Sequence, residues 1–239
     1  MSESRVIIVA AGDGSRWNNY RGTPKHLTVV EKEVLLERTC KQFLKYTSDV
    51  CIIGRDKRYE VKGATLYIPS GSNTNYKDAN KFMCTQALWN KNGRTVIVFG
   101  DVYFTNDAVK TIMKSDGEYK WFLRREESKI SGARWKEIFA FAFNASMINN
   151  LTQTLLLLIS RDQVQKQAGW ALYKAMSGDR FLTFSSTHHH VHIDDWTEDF
   201  DFPEDLEIWE EHRKLAKEDA KAKAKTKKTT ADSALSSKK

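Results

Sequence analysis

The chain has 239 residues, which is enough for one globular domain with an appendage. Its composition, 41% hydrophobic and 11% aromatic, is typical of a folded protein and excludes a wholly disordered one. The formal net charge of +7 lies in the C-terminal segment, because residues 213–239 hold ten Lys or Arg and three Asp or Glu. Residues 1–212 are therefore neutral overall, which argues against a folded domain that binds nucleic acid through its net charge.

Cysteine usage and hydropathy predict the compartment. Cys40, Cys51 and Cys84 lack the spacing of metal ligands, and their odd number does not fit a set of paired disulfides. We therefore predict that they are reduced thiols. The N-terminus runs directly into an apolar strand pattern, so we expect no signal peptide. The apolar run over residues 155–159 is too short to cross a bilayer. These features predict a cytoplasmic protein without a membrane partner.

The first half of the chain alternates apolar runs, typical of buried strands, with segments of helical spacing. We predict strands over residues 6–9, 49–54, 65–69 and 95–101, and helices over residues 33–46 and 75–89. Strands that are apolar throughout and alternate with helices indicate a mostly parallel sheet covered on both faces.

The second half continues this pattern and ends in a polar tail. We predict strands over residues 120–124 and 137–143, a helical stretch over 146–176 broken near Gly169, an extended segment over 181–193 and a last helix over 203–217. From about Ala220 no apolar period survives, so we expect disorder there. The sequence therefore predicts an α/β fold, a Rossmann-like three-layer sandwich with a mixed, mostly parallel sheet. Residues 1–212 form its single domain, and residues 213–239 form the end of the last helix and a disordered Lys-rich tail.

A glycine-containing loop follows the first predicted strand. Glycine lets backbone N–H groups approach a phosphate closely, and Arg16 and Lys25 add the positive charge that a triphosphate attracts. The loop is not a dinucleotide fingerprint, since Trp17 stands where the third glycine belongs, and a Walker A Gly-Lys-Ser/Thr is absent. The candidate nucleotide-binding residues here are Ala10, Ala11, Gly12, Asp13, Gly14, Ser15, Arg16 and Lys25.

The pattern Ala-Ala-Gly-x-Gly-Ser-Arg followed by Pro-Lys-x-Leu resembles the signature of a nucleotidyltransferase family. This family includes sugar-1-phosphate nucleotidylyltransferases, cytidylyltransferases and the MobA-like enzymes, and it usually has a small apolar residue where Trp17 stands. The resemblance implies a GT-A-like nucleotidyltransferase fold, a nucleoside triphosphate substrate and Mg²⁺. It also implies transfer of the nucleoside monophosphate to a small phosphorylated acceptor, expected to be a sugar phosphate, as in sugar nucleotide biosynthesis. Arg16, Lys25 and Asp101 are the catalytic candidates.

Two aspartates are candidate Mg²⁺ ligands. Asp101 ends an apolar strand, at the edge of an open α/β sheet where ligands bind, although a turn or helix N-cap is the alternative. Residues 199–207 resemble the family's late motif Asp-Thr-Pro-Glu-Asp-Leu, and on that match Asp201 takes the metal-binding position, with Asp199 as its rival. Mg²⁺ prefers one or two carboxylates together with phosphate oxygens, which fits this pair.

Several polar segments leave alternatives open. Ser72 and Asn73 stand where related enzymes contact the base or ribose, but a plain loop fits equally well. Three histidines on a strand over residues 188–192 fit Zn²⁺, yet a surface strand is the favoured interpretation. Basic residues over 124–136 fit either an anionic acceptor or a solvated loop. The Lys-rich tail fits contact with nucleic acid, although a solubilising extension is favoured.

Two other functions also stay open. A GT-A-type glycosyltransferase uses a similar sheet and an Asp-x-Asp motif, but residues 101–103 are Asp-Val-Tyr, which argues against it. The other is a non-catalytic nucleotide- or nucleic-acid-binding module. The joint presence of two basic and two acidic candidate residues argues against lost catalysis. No pattern indicates the base, the acceptor or the oligomeric state.

Overall fold

The structure is a computed structural model that describes residues 4–12, 14–69, 84–128, 130, 136–160, 168–178 and 188–236. The strands are β1 (Arg5–Val9), β2 (Val29–Val30), β3 (Glu33–Val34), β4 (Val50–Ile53), β5 (Thr65–Tyr67), β6 (Arg94–Phe99), β7 (Val102–Tyr103), β8 (Tyr119–Arg124), β9 (Glu137–Asn144), β10 (His190–His192) and β11 (Glu198–Asp199). The helices are α1 (Leu35–Phe43), α2 (Asn106–Lys114), α3 (Ile148–Ser160), α4 (Ala168–Ser177) and α5 (Pro203–Ser236). Short 3₁₀ turns connect several of them.

A seven-stranded sheet forms the centre of the fold, in the order β10-β8-β9-β6-β1-β4-β5. Strand β9 runs antiparallel to its neighbours β6 and β8, and the other pairs in this sheet are parallel. The pairs β2–β3 and β7–β11 form two small antiparallel sheets outside it. The predicted α/β class with a mixed, mostly parallel sheet is therefore confirmed.

Alternate residues of β1 face opposite layers, which explains why the whole strand is apolar. Val6 and Ile8 pack in one cluster with residues of α1 and α2, whereas Ile7 and Val9 pack in a second cluster with residues of α3 and α4. Each fully buried aliphatic side chain contributes about 1.5–3 kcal/mol to folding. Two buried faces make this a three-layer arrangement.

A third cluster attaches the C-terminal helix to the glycine-containing loop. Trp17 from the loop and Tyr103 from β7 are 1% exposed and pack with Phe200, Leu206 and Trp209. The rings of Tyr103 and Trp209 lie 4.4 Å apart between centroids. The chain therefore returns at its end to the place where β1 stops.

The structure differs from the prediction in several elements. Helix α2 was not predicted, and it begins where Thr105 accepts a hydrogen bond from the Ala108 N–H at 3.0 Å. The predicted stretch over 146–176 is two helices, α3 and α4, with residues 161–167 outside the described part of the chain. Most of the helix predicted over 75–89 and of the segment predicted over 181–193 also lies outside it.

The last helix, α5, extends to Ser236, where the sequence predicted its end near Lys217 and disorder beyond. Alanine and lysine, which dominate this segment, have high helix propensities, and no Gly or Pro interrupts them. The prediction ended the helix near Lys217 because the apolar period stops there, but no helix-breaking residue follows in the sequence. Among the helices that the structure describes, none combines the length and apolarity that crossing a membrane requires.

Candidate active site

The glycine-containing loop begins where β1 ends and touches the end of β6. Ala10 is fully buried, and its N–H donates to the Ile53 carbonyl at 2.9 Å. A Cβ atom on Gly100 would lie 2.9 Å from the Cβ of Ala10, so only glycine permits this approach. The close approach brings Asp101, the next residue, beside the loop.

Gly14 makes the turn that presents Arg16. Its φ of +62° lies in the left-handed region that favours glycine. The N–H groups of Trp17 and Asn18 donate to the Gly14 carbonyl at 2.9 and 3.2 Å. Arg16 lies within this turn, between Gly14 and Trp17, and its side chain is 56% exposed.

Trp17 stands where the pattern that the loop resembles has a small apolar residue, and its contacts give it a structural role. Its indole N–H donates to the Thr23 carbonyl at 3.1 Å, and its ring lies edge-on to Tyr20 at 5.5 Å between centroids. This hydrogen bond joins the loop to the segment that precedes Pro24 and Lys25. A buried tryptophan therefore fixes the two basic residues relative to each other.

The four charged candidates meet in one ion-pair network. The Lys25 ammonium contacts the Asp101 carboxylate and lies 3.5 Å from Oδ1 of Asp201. The Arg16 guanidinium contacts both carboxylate oxygens of Asp201, at 2.7 and 2.8 Å. Residues far apart in sequence are thus brought together at one edge of the central sheet.

Burial and charge oppose each other in this network. Burial alone would lower the pKa of Lys25, but the carboxylates of Asp101 and Asp201 raise it above its ordinary value. Burial alone would raise the pKa of Asp101, but the charge of Lys25 dominates and brings it to about 2. Both groups are therefore charged at neutral pH.

Two further carboxylates, which the sequence did not single out as a group, lie behind the network. Burial and the nearby charge of Asp201 raise the pKa of Glu137 to about 8. Burial and the repulsion of Glu137 and Asp201 raise the pKa of Asp199 well above its ordinary value. Glu137 is the first residue of the antiparallel β9, so it lies at the edge where the parallel strands end. No local sequence pattern singles out Glu137, because its position at this edge depends on the antiparallel direction of β9.

Backbone contacts hold the segment that carries Asp201. The Phe200 N–H donates to the Asp101 carbonyl at 3.2 Å. The carboxylate of Asp205 accepts from the N–H groups of Asp201 and Phe202 at 3.0 and 2.8 Å, which caps the start of α5. Asp205 therefore has the structural role that its place at the start of a helix indicates.

A buried ion pair holds the residue before Asp199. The Glu198 side chain is fully buried, and Arg124, at the end of β8, donates to one of its carboxylate oxygens. The Ser128 hydroxyl donates to the other oxygen. Such a pair depends on both partners, because either charge left alone in the interior would be costly.

Asp101 and Tyr103 have different surroundings in the structure. Thr105, and not Asp101, caps α2, so Asp101 is not a helix cap. Tyr103 is buried, and its hydroxyl donates to Glu31 at 2.5 Å, away from the ion-pair network. The segment therefore presents one carboxylate to the site, in contrast to an Asp-x-Asp motif.

Other candidates lie elsewhere or outside the described residues. Asp13, Ser72 and Asn73 lie outside them. The ring of His189 stacks on Tyr119 with centroids 3.8 Å apart. Throughout the described residues, no three His, Cys, Asp or Glu side chains form a group that would hold a metal ion by themselves, so the zinc interpretation of residues 188–192 finds no support.

No protein-family model matches the chain, and no curated protein matches it. Several solved structures do match it in fold. A CTP:phosphocholine cytidylyltransferase from Streptococcus pneumoniae superposes with a TM-score of 0.57 and 14% identity, over 87% of this chain and 98% of that one. The inositol-1-phosphate CTP transferase of T. maritima superposes with a TM-score of 0.54 and 12% identity, over 88% of this chain and 96% of that one.

A Bacillus anthracis protein assigned as a glucose-1-phosphate thymidylyltransferase superposes with a TM-score of 0.53 and 13% identity, over 87% of this chain and 94% of that one. The chain has the fold of these nucleotidylyltransferases. The likeness covers nearly the whole of each compared structure, so the central sheet and its flanking layers are shared. The GT-A-like fold expected from the sequence motifs is thereby confirmed.

Proposed function

We propose that this protein is a nucleotidyltransferase. It transfers a nucleoside monophosphate from a nucleoside triphosphate to a small phosphorylated acceptor, expected to be a sugar phosphate, and releases pyrophosphate. The observation that carries the proposal is the network in which Arg16 and Lys25, from the glycine-containing loop and its continuation, meet Asp101 and Asp201. The fold it shares with nucleotidylyltransferases supports the same function.

The basic residues suit a triphosphate. Lys25 is held in place by Asp101 and keeps its charge, so it can contact phosphate oxygens without a change of protonation. Arg16 is more than half exposed and pairs with Asp201. An exposed ion pair is weak, so a triphosphate can exchange for Asp201 as the partner of Arg16 at small cost. The loop amides, at the end of β1, then face the same phosphates.

The acidic residues suit Mg²⁺. Four carboxylates lie within electrostatic reach of one another, and their repulsion contributes to the raised pKa of Glu137 and Asp199. Asp101 and Asp201 contact the basic residues directly and would hold the ion, with phosphate oxygens as further ligands. Bound there, Mg²⁺ supplies charge neutralisation to the α-phosphate and to the leaving pyrophosphate.

The reaction needs no protein nucleophile. A phosphate oxygen of the acceptor forms the new bond to the α-phosphorus, and the bond from that phosphorus to the oxygen of the β-phosphate breaks. The electron pair leaves with pyrophosphate, whose charge Lys25 and Arg16 stabilise. The remaining contribution of the chain is to position the two substrates in line.

An acceptor-dependence assay tests the proposal. The protein is incubated with each α-³²P-labelled nucleoside triphosphate, Mg²⁺ and a panel of sugar phosphates and other phosphorylated alcohols, and pyrophosphate release is followed. Release should require one acceptor, and Asp101→Asn should lower it by at least about 100-fold. The matched control is Asp107→Asn, an exposed residue in the first turn of α2, which should leave release unchanged.

Two results would contradict the proposal. One is pyrophosphate release that survives Asp101→Asn undiminished. The other is cleavage of UDP- or GDP-sugars without turnover of any nucleoside triphosphate, which would favour a glycosyltransferase.

A further inference from the structure

We propose that α5 binds the phosphodiester backbone of a nucleic acid along a stripe of lysines between Lys214 and Lys228. The sequence favoured a disordered solubilising tail, in which the order of the lysines has no consequence. The backbone instead continues as one helix from Pro203 to Ser236. In a helix, the spacing of the lysines determines which of them share a face.

Five lysines follow helical spacing. They lie three, four, four and three residues apart: Lys214, Lys217, Lys221, Lys225 and Lys228. At about 100° per residue, these positions fall within about 80° of one another around the helix axis. Lys223 and Lys227 lie about 120–160° from the centre of this lysine stripe. The basic charge of the helix is therefore concentrated on one side.

The base of the helix is fixed to the domain by buried side chains and ion pairs. Leu206 and Trp209 are fully buried, and Arg213 and Lys217 both pair with Glu31. The next two residues, 218 and 219, are exposed. The 20 residues from Lys217 to Ser236 extend about 29 Å along the helix axis. Because Lys217 pairs with Glu31, we assign the phosphate contacts to the other four lysines of the stripe.

The chemistry of the segment selects the partner. Apart from alanines, residues 216–234 contain no apolar side chain, so the helix has no Leu, Phe or Trp face to insert into a membrane or to pack in a coiled coil. The stripe extends about 21 Å, which is longer than any single nucleotide and corresponds to about six nucleotides of one strand. A polymer of phosphates satisfies a row of separated ammonium groups, and nucleic acid is such a polymer.

Salt-dependent binding tests the proposal independently of nucleotidyl transfer. Anisotropy of a fluorescein-labelled oligouridylate, and of a labelled DNA duplex in a second arm, is measured with the full chain between 50 and 200 mM salt. Four contacts to a single strand predict that affinity falls about 50-fold over this range. Lys225→Gln with Lys228→Gln removes two contacts, so the fall should shrink to about sevenfold and the affinity at low salt should drop.

Two control variants separate a lysine stripe from bulk charge. Lys223→Gln with Lys227→Gln removes the same charge from the same segment but from the opposite side, and it should retain the roughly 50-fold salt dependence. Ala224→Pro keeps every charge but interrupts the helix, and it should weaken binding as the stripe variant does. Lysine and glutamine have similar helix propensities, so circular dichroism should be the same for both double variants.

Three results would overturn the proposal. Equal losses in the two double variants would mean that only the amount of charge matters. Unchanged binding by Ala224→Pro would mean that the helix is irrelevant. Binding to phosphatidylserine vesicles, without binding to either nucleic acid, would identify a membrane surface as the partner. None of these outcomes bears on pyrophosphate release, so the proposed enzyme activity stands or fails separately.

Discussion

The ammonium group of Lys25 contacts the carboxylate of Asp101 at the point where the glycine-containing loop meets the end of β6. The Lys25 side chain is 10% exposed and that of Asp101 is 23% exposed, so both charges are largely buried. A buried charge that loses its partner lowers the free energy of unfolding much more than an exposed charge does. The pair therefore connects the stability of the domain to the electrostatics of its proposed phosphate site.

Replacing Lys25 with methionine should impair both properties. The variant keeps the apolar stem but leaves Asp101 without its partner, so we expect a loss of about 3 kcal/mol in the free energy of unfolding. The pKa of Asp101, now about 2, should rise, because burial is no longer offset. Urea denaturation measures the stability, and titration calorimetry with a nucleoside triphosphate should show at least a tenfold weaker affinity.

Lys41→Met is the matched control for this prediction. Lys41 pairs with Glu33, but its side chain is 57% exposed. Exposed pairs contribute about 0–1 kcal/mol, so this variant should be nearly as stable as the wild type and should bind nucleotide equally. Equal effects of the two substitutions would show that the Lys25–Asp101 pair has no special role.

The main elements of the site could be predicted because their signals are local. The loop after β1 combines small residues with Arg16, and Asp101 directly follows an apolar strand, so position along the chain indicates position in the sheet. Glu137 gives no such signal, since it is near the edge only because β9 is antiparallel. Asp199 and Asp201 are two residues apart, so strand periodicity does not separate them.

Other features depend on contacts between distant segments. Trp17 and Trp209 belong to one hydrophobic cluster that joins the two ends of the domain, and no local pattern at Trp17 indicates it. The strands β2, β3, β7 and β11 have two residues each, too few for a period of two to be recognised. The length of α5 was underestimated because its distal half has helix propensity without an apolar face.

The carboxylate of Glu31 should make the attachment of α5 sensitive to acid. Burial alone would raise the pKa of Glu31, but hydrogen bonds from Lys217, Tyr103 and Arg213 lower it to about 2. An ordinary glutamate titrates near 4.5 in the unfolded chain. The stabilisation is therefore complete above about pH 5 and is lost as the pH falls from about 4.5 to 2.

Chemical denaturation of the wild type and Glu31→Gln across this pH range measures the effect. The variant should be less stable at neutral pH, and the difference between the two free energies of unfolding should shrink toward pH 2. Glu33→Gln serves as control, since its exposed partner Lys41 gains little from the pair. A difference that stays constant with pH would contradict the prediction.

The buried pair of Arg124 and Glu198 should show strong coupling. Arg124→Met leaves the Glu198 charge buried and should cost about 3–5 kcal/mol in the free energy of unfolding. The double variant Arg124→Met with Glu198→Leu replaces both charges with apolar groups, so it should recover a large part of that loss. A double-mutant cycle built from urea denaturation gives the coupling energy. Additive single effects would show that the two side chains are energetically independent.

Trp17 should be necessary for the geometry of the nucleotide site. Trp17→Phe keeps much of the packing but removes the hydrogen bond to the Thr23 carbonyl, so we expect a loss of about 1 kcal/mol in stability. Trp17→Ala also empties a fully packed position and should cost about 3–5 kcal/mol. Since Trp17 positions Arg16 relative to Lys25, nucleoside triphosphate affinity should fall in the same order, wild type, Trp17→Phe, Trp17→Ala. Calorimetric titration at a temperature where all three remain folded measures that order, and unchanged affinity in Trp17→Ala would show that the loop holds its shape without this anchor.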